Sequence, residues 1–412
     1  MRLRAAWLAP VAVVVAVAWL WLRWEPPYEG RRLFGGLRFS DCLVVAGLFW
    51  AVLVLAAAQR SRRAVARWLL ATFAAGLAWG AAEVGWRVMP RPEPKPWLGA
   101  FPTPNHEDRG ETMPDIAHVW GVPGQPMSYH YVTNAWGYRN PPDLSNPDVI
   151  CLGDSMLLAI HHPRERTIPG LLQSALGRPV GNVSLIDKSP QDMQRRFQAL
   201  DLDLRGKVVV QFVCEENDLQ DSYYYERDGM RDAPILMAAQ KPLESLTNTA
   251  VLALQRWTQP QPAEAARRWG TFAGQPHWFM YRWVDDPKFV AQTEVIGSAL
   301  TAFAAFVRER GGEFGVVLLP AKLRVLGPFT EFAPGNDLEP IAEHVGPLPA
   351  FLAAWSERAG VPYLDGSAAL TALVRSGTSP WFANETHFSE RGLAAVAEAV
   401  LAWPWFAERS KR

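Results

Sequence analysis

The chain has 412 residues, 49% of them hydrophobic, and its 41 Lys and Arg balance 41 Asp and Glu. That balance leaves no global positive field to hold a nucleic-acid backbone, so nucleic acid is not an expected partner. The length exceeds what one ordinary core absorbs, so at least two regions are expected, and three cysteines (Cys42, Cys151, Cys214) are too few for a disulfide framework.

Three apolar stretches open the chain, at about 5–22, 42–58 and 68–88. Each approaches the ~20 residues that cross a bilayer as a helix. Trp19, Trp21 and Trp24 crowd one end of the first, as interfacial aromatics do, and no small-residue cleavage site follows it. Glu83 and Arg87, four residues apart near the end of the third, can pair on one helix face. Arg60, Arg62, Arg63 and Arg67 make the second loop basic and free of acids, which favours the cytoplasmic side. Residues 1–89 therefore read as a membrane anchor with the rest of the chain extracytoplasmic. Alternating prolines from Pro90 to Pro96 make a stiff spacer, and 90–145 reads as an irregular lead-in with short strands such as 128–133.

From 146 to the end the pattern alternates. Apolar strand-like runs at 148–152, 180–186, 208–213, 315–319 and 361–364 are separated by helical patterns at 168–176, 191–200, 289–310, 348–358 and 390–402. This is the signature of an α/β parallel sheet with helices on both faces, whose ligands bind beyond the carboxyl ends of the strands. Polar residues gather at those ends: Gly153-Asp154-Ser155, Glu215-Glu216-Asn217-Asp218, Pro320-Ala321-Lys322 and Asp365-Gly366. Between 219 and 288 lies an insertion too long for a plain crossover, readable as a lid over a site or as a mobile surface segment.

A serine on a turn after a strand needs a base to become a nucleophile, and His387, far downstream, has the side-chain type to serve. Glu385 can hold its tautomer, and Asn217 with the Ser155 amide can donate to an oxyanion. Asp154 reads as ordering the turn by bonding local amides. Lys322 either faces a polyanionic substrate or caps a strand end. His161-His162 reads as a surface pair, since no further ligands lie at metal spacing, and neither metal nor cofactor is expected. Trp381 and Tyr223 to Tyr225 can stack on sugar rings or pack in a core.

With these residues in view, 146–405 resembles the SGNH/GDSL hydrolase family. Gly153-Asp154-Ser155 matches its nucleophile block, Asn217-Asp218 its third block, and His387 with Gly392 its last. The resemblance implies a flavodoxin-like three-layer sandwich and an acyl-serine mechanism. Leu319-Pro320-Ala321-Lys322 and Thr386-His387-Phe388 are further similar to the membrane-associated, alginate O-acetylation-like branch. That branch implies acetyl groups moved or removed on extracytoplasmic polysaccharide, with a membrane acyl-donor protein as a partner. Two departures stand out. The second block, 182–190, lacks the family's oxyanion glycine, and Asn384 stands where the family acid is often found, leaving Glu385 as the charged group. The competing expectation is a catalytically inactive protein that binds polysaccharide or scaffolds envelope assembly through the same cleft. A lipid esterase is a third.

Overall fold

The computed structural model describes residues 102–112, 127–228, 268–279, 287–334, 336, 338–339 and 346–410, together with 32–33, 37–38 and scattered positions between 61 and 78. The apolar stretches at 5–22 and 42–58, most of 68–88, and residues 229–267 of the insertion lie outside the described residues. The chain divides into two compact units, Met1–Glu93 with Ile235–Gln261, and Pro94–Pro234 with Pro262–Arg412. In the first, Arg32–Leu33 pairs antiparallel with Leu37–Arg38.

The second unit opens on a hairpin of β1 (Glu107–Thr112) and β2 (Met127–Val132), where the sequence suggests irregular structure with short strands such as 128–133. Its first strand reads Glu-Asp-Arg-Gly-Glu-Thr, with no apolar alternation to reveal it. Then come β3 (Val149–Gly153), β4 (Val180–Ser184), β5 (Val208–Cys214), β8 (Glu313–Leu319) and β10 (Tyr363–Asp365). They form one parallel sheet in the spatial order β4-β3-β5-β8-β10. In order of appearance that is 2-1-3-4-5, the flavodoxin-like order, with its switch point between β3 and β5.

Period-two alternation divides the strand side chains between two cores. Val149, Cys151, Val208, Val210, Val317 and Leu319 face one cluster, completed by α2 (Ile168–Leu176), α9 (Ser367–Arg375), α10 (Glu390–Ala402) and α11 (Pro404–Arg409). Ile150, Leu152, Val209, Val213, Val316 and Leu318 face the other, covered by α3 (Pro190–Gln198), α6 (Gln292–Glu309) and α8 (Pro347–Ala359). The result is a helix–sheet–helix sandwich. The continuous helical pattern expected at 289–310 breaks at Ala291 into α5 (Pro287–Val290) and α6. Among the described residues this Pro287–Glu309 stretch alone is long and apolar enough to cross a membrane, but Ile296, Leu300, Phe303, Ala304 and Val307 are buried in the second core. Helices α9 and α11 are among those outside the expected helical patterns; α9 buries only Leu370 and Val374, too few for a clear apolar stripe.

The described parts of the insertion are ordered pieces of this unit. Its first helix is α4 (Asp218–Asp228). Its far end forms β6 (Trp269–Phe272) and β7 (Gln275–Trp278), joined by β9 (Glu331–Phe332) into a small antiparallel sheet. Trp278 and Phe279 are fully buried there.

Candidate functional site

The strand β3 ends in Gly153, and a four-residue helix, α1 (Ser155–Leu158), begins at once. The turn is tight: a Cβ on Gly153 would lie 2.9 Å from the Leu157 Cβ. Asp154 is the N-cap, its Oδ1 accepting the Met156 amide at 3.0 Å, and Ala159 ends the helix in the left-handed region. This places Ser155 half-buried at the carboxyl edge of the sheet, beside the switch point.

His387 arrives from a loop between Trp381 and Phe388, which pair across it as an antiparallel bridge. Its Nε2 is 2.9 Å from the Ser155 Oγ, and its Nδ1 is 2.5 Å from the Glu385 Oε1. Glu385 is 1% exposed and also accepts the Thr386 amide. A carboxylate only accepts, so the proton sits on Nδ1 and Nε2 is left to accept from the serine hydroxyl. After His387 the chain turns into α10, capped by Ser389. A Cβ on Gly392 would come within 2.1 Å of the Pro380 carbonyl, so glycine is required for this loop to close on the helix.

Lys322, fully buried at the start of α7 (Lys322–Leu326), does not face a substrate. Its ammonium donates to the carbonyls of Phe382 (2.7 Å), Glu385 (3.1 Å) and Ala383 (3.3 Å), threading the loop that carries the acid. Half-buried Asn384 lies inside this bracket, between two of the held carbonyls, and the carboxylate on His387 is that of Glu385. The small sheet joins from outside, with the Trp278 amide donating to the Ala383 carbonyl at 2.7 Å. His277, next to it, is held neutral: burial first, then the nearby Lys322 charge, pull its pKa down to about 4.

The His161-His162 pair departs from its expected place on the surface. His162 is buried, its Nε2 lies 2.8 Å from the Phe388 carbonyl, and its ring stacks on Phe382 at 5.2 Å. Burial lowers its pKa, so the neutral ring donates to that carbonyl and ties the Ser155 segment to the histidine loop. Half-buried His161 meets His387 edge-on, ring centroids 6.1 Å apart. Sequence reasoning missed Arg139 entirely. This buried guanidinium donates to the carbonyls of Leu158 and Ala159 (2.8 Å each), His162 (2.5 Å) and His130 (3.1 Å), fixing the turn that carries both histidines. No spacing rule marks such a residue, because its partners are backbone atoms.

Asn217, just beyond β5, stands beside the Gly153–Ser155 turn, but both hydrogens of its amide are engaged. Nδ2 donates to Asp154 at 2.9 Å and to Asp221 at 2.7 Å. Asp154 is thus more than a turn former; burial pushes its carboxyl up, opposed by the bonds from Asn217 and Met156. The glycine-free second block leaves β4 at Ser184, passes Asp187 in the left-handed region, and caps α3 with Ser189. Nearby, Glu215 accepts the Ala321 amide and the Arg324 guanidinium at 2.9 and 2.6 Å, lashing the ends of β5 and β8 together. Trp381 is buried against Phe388, and Tyr223 packs edge-on against Phe289; both side chains serve the core.

No family model and no curated protein matches the sequence. Among solved structures the chain is similar to phospholipase A1 from Streptomyces albidoflavus, at 15% identity over 63% of this chain and 100% of that one, with a TM-score of 0.36. It is also similar to an extracellular lipase from Streptomyces rimosus, at 13% identity over 62% and 99% of the two chains and a TM-score of 0.37. An acetyl xylan esterase is similar at 11% identity over 62% and 98%, with a TM-score of 0.34. Likeness at these levels carries no chemistry of its own, which rests on the relay of Ser155, His387 and Glu385.

Proposed function

We propose that the chain is a serine esterase or O-acyltransferase of the SGNH type, working through an acyl-Ser155 intermediate. The observation that carries this reading is the unbroken relay Ser155 Oγ to His387 Nε2, and His387 Nδ1 to a buried Glu385 carboxylate. Ser155 Oγ attacks an ester carbonyl while His387 Nε2 takes its proton, and Glu385 stabilises the imidazolium that forms. Collapse of the tetrahedral intermediate passes that proton to the departing alkoxide. In the second half His387 deprotonates water, or a sugar hydroxyl, which attacks the acyl-serine and returns the proton to Ser155. The Ser155 amide is the first oxyanion donor. Asn217 becomes the second when one of its two bonds to carboxylate is given up to the developing charge.

Within this reading the enzyme is anchored by its N-terminal apolar segments, faces the extracytoplasmic side, and acts on acyl groups of polysaccharide with a membrane protein as acyl donor. Support comes from the three apolar stretches, the basic second loop and the proline spacer. The experiment is labelling of the full chain in membranes with a fluorophosphonate probe. Wild type labels, and Ser155→Ala and His387→Ala do not. A folded wild type that resists the probe would favour the non-catalytic, polysaccharide-binding alternative. Supplying an acetyl donor with and without an oligosaccharide then separates transfer from hydrolysis.

A further inference from the structure

We propose that the site also binds a divalent transition metal of the zinc type, held by His387 and His161 and blocking the nucleophile when bound. One ligand atom from each of His161, Glu385 and His387 lies within 4.8 Å of the others, on groups that are half-buried or buried. The two imidazoles are ligands suited to Zn²⁺ or Co²⁺, and the carboxylate, on the far nitrogen of His387, backs one of them.

The relay itself supplies the second argument. A ligating histidine characteristically donates its far N–H to a carboxylate, which fixes the ring and raises the basicity of the metal-bound nitrogen. The Glu385–His387 contact at 2.5 Å has this form, leaving the Nε2 lone pair directed at Ser155 Oγ 2.9 Å away. A cation there takes Nε2 as its first ligand. His161, meeting the same ring edge-on, supplies the second, and the Ser155 oxygen and water complete the shell. His161 does not drift, because its loop is clamped by Arg139 through the carbonyls of Leu158, Ala159 and His162. Since the metal and the serine proton compete for one lone pair, binding removes the base. Metal binding stands apart from the hydrolase reading; only the inhibition rests on it.

The test titrates full-length protein with Zn²⁺ by calorimetry and with Co²⁺ by visible absorption. Wild type and Ser155→Ala, which cannot form an acyl-serine, both bind one equivalent. His161→Gln weakens binding by about tenfold or more, Glu385→Gln by about 10–100-fold, and His161→Cys restores a ligand and the Co²⁺ band. Zn²⁺ inhibits the esterase rate of wild type at the concentration that saturates calorimetry, while His161→Gln works in chelator and resists Zn²⁺. His130, whose Nε2 lies 3.0 Å from Glu107 on the exposed hairpin, is the rival site. Absence of binding in wild type overturns the proposal, as does equal affinity in His161→Gln or loss of binding in His130→Gln. Binding with the expected variant pattern but no esterase activity in any form sinks the hydrolase reading and leaves the metal site standing.

Discussion

Lys322→Met is the sharpest test of how the acid loop is held. The ammonium is fully buried and bonds three carbonyls, of which those to Phe382 and Glu385 are 2.7 and 3.1 Å long. A bond from a charged donor contributes roughly 1.5–3 kcal/mol, and methionine leaves these carbonyls without it. Relief of the buried charge offsets part of the loss, so the net destabilisation is about 3–5 kcal/mol. For a domain of this size that lowers the melting temperature by about 10 °C. The effect on activity is separate. Glu385 supplies both a held carbonyl and the carboxylate on His387, so slackening its backbone by about 1 Å costs on the order of a hundredfold in kcat. The assay is thermal melting beside steady-state hydrolysis of p-nitrophenyl acetate, with KM near its wild-type value. A Lys322→Met protein that melts and turns over like wild type would refute the clamp.

The remaining expectations follow the same network. Glu385→Gln keeps the shape but loses the charge that stabilises imidazolium, so kcat falls by about a thousandfold or more, measured as single-turnover acylation. Glu385→Asp retains the charge and falls between the two. Asn217→Ala lowers kcat by roughly 3 kcal/mol of barrier if its amide turns to the oxyanion; a change confined to the melting temperature would show it remains with Asp154 and Asp221. His277 sets an acid limit on stability. Its folded pKa, about 4, lies below the ordinary 6.5, so the neutral form is favoured by folding. Its contribution is fully present above pH 6.5 and drains away as the pH falls through 4, amounting to about 2–3 kcal/mol. Urea midpoints compared between pH 7 and pH 4 should fall less steeply in His277→Phe, and parallel curves would remove His277 from that role.

Much of the sandwich was legible because strand side chains alternate between two cores. Val149 and Cys151 point one way and Ile150 and Leu152 the other, so a sequence buried on both faces reads as an unbroken apolar run. The strand ends were legible for the same reason: the first polar residues after each run had to lie at the sheet's carboxyl edge. Ser155, His387, Glu385 and Asn217 were therefore findable by residue type and place. What their neighbours do with them was not. Asn217 has the amide an oxyanion needs, yet Asp154, 63 positions away in the chain, holds one of its hydrogens. The β1–β2 hairpin was hidden because charged residues fill its first strand, and strand patterns are visible only where one face is apolar.

The deeper gap concerns what fixes the geometry. Two buried cations do it, Arg139 on the Ser155 side and Lys322 on the His387 side, and both act on backbone carbonyls. Every residue has a carbonyl, so no pairing of side-chain types betrays these contacts, whereas Ser, His and Glu are chemically conspicuous. His162 joins the two clamped loops, again through a carbonyl, that of Phe388. Arg139 lies outside every recognisable block, and Lys322, although part of Leu319-Pro320-Ala321-Lys322, shows its place in the sequence but not what it holds. Arginine suits the Arg139 position because four carbonyls converge on one planar fork, which a lysine's point charge could not span. A lysine suits position 322 because three carbonyls surround a single point. Exchanging the two cations should therefore damage both loops, even though charge and burial are conserved.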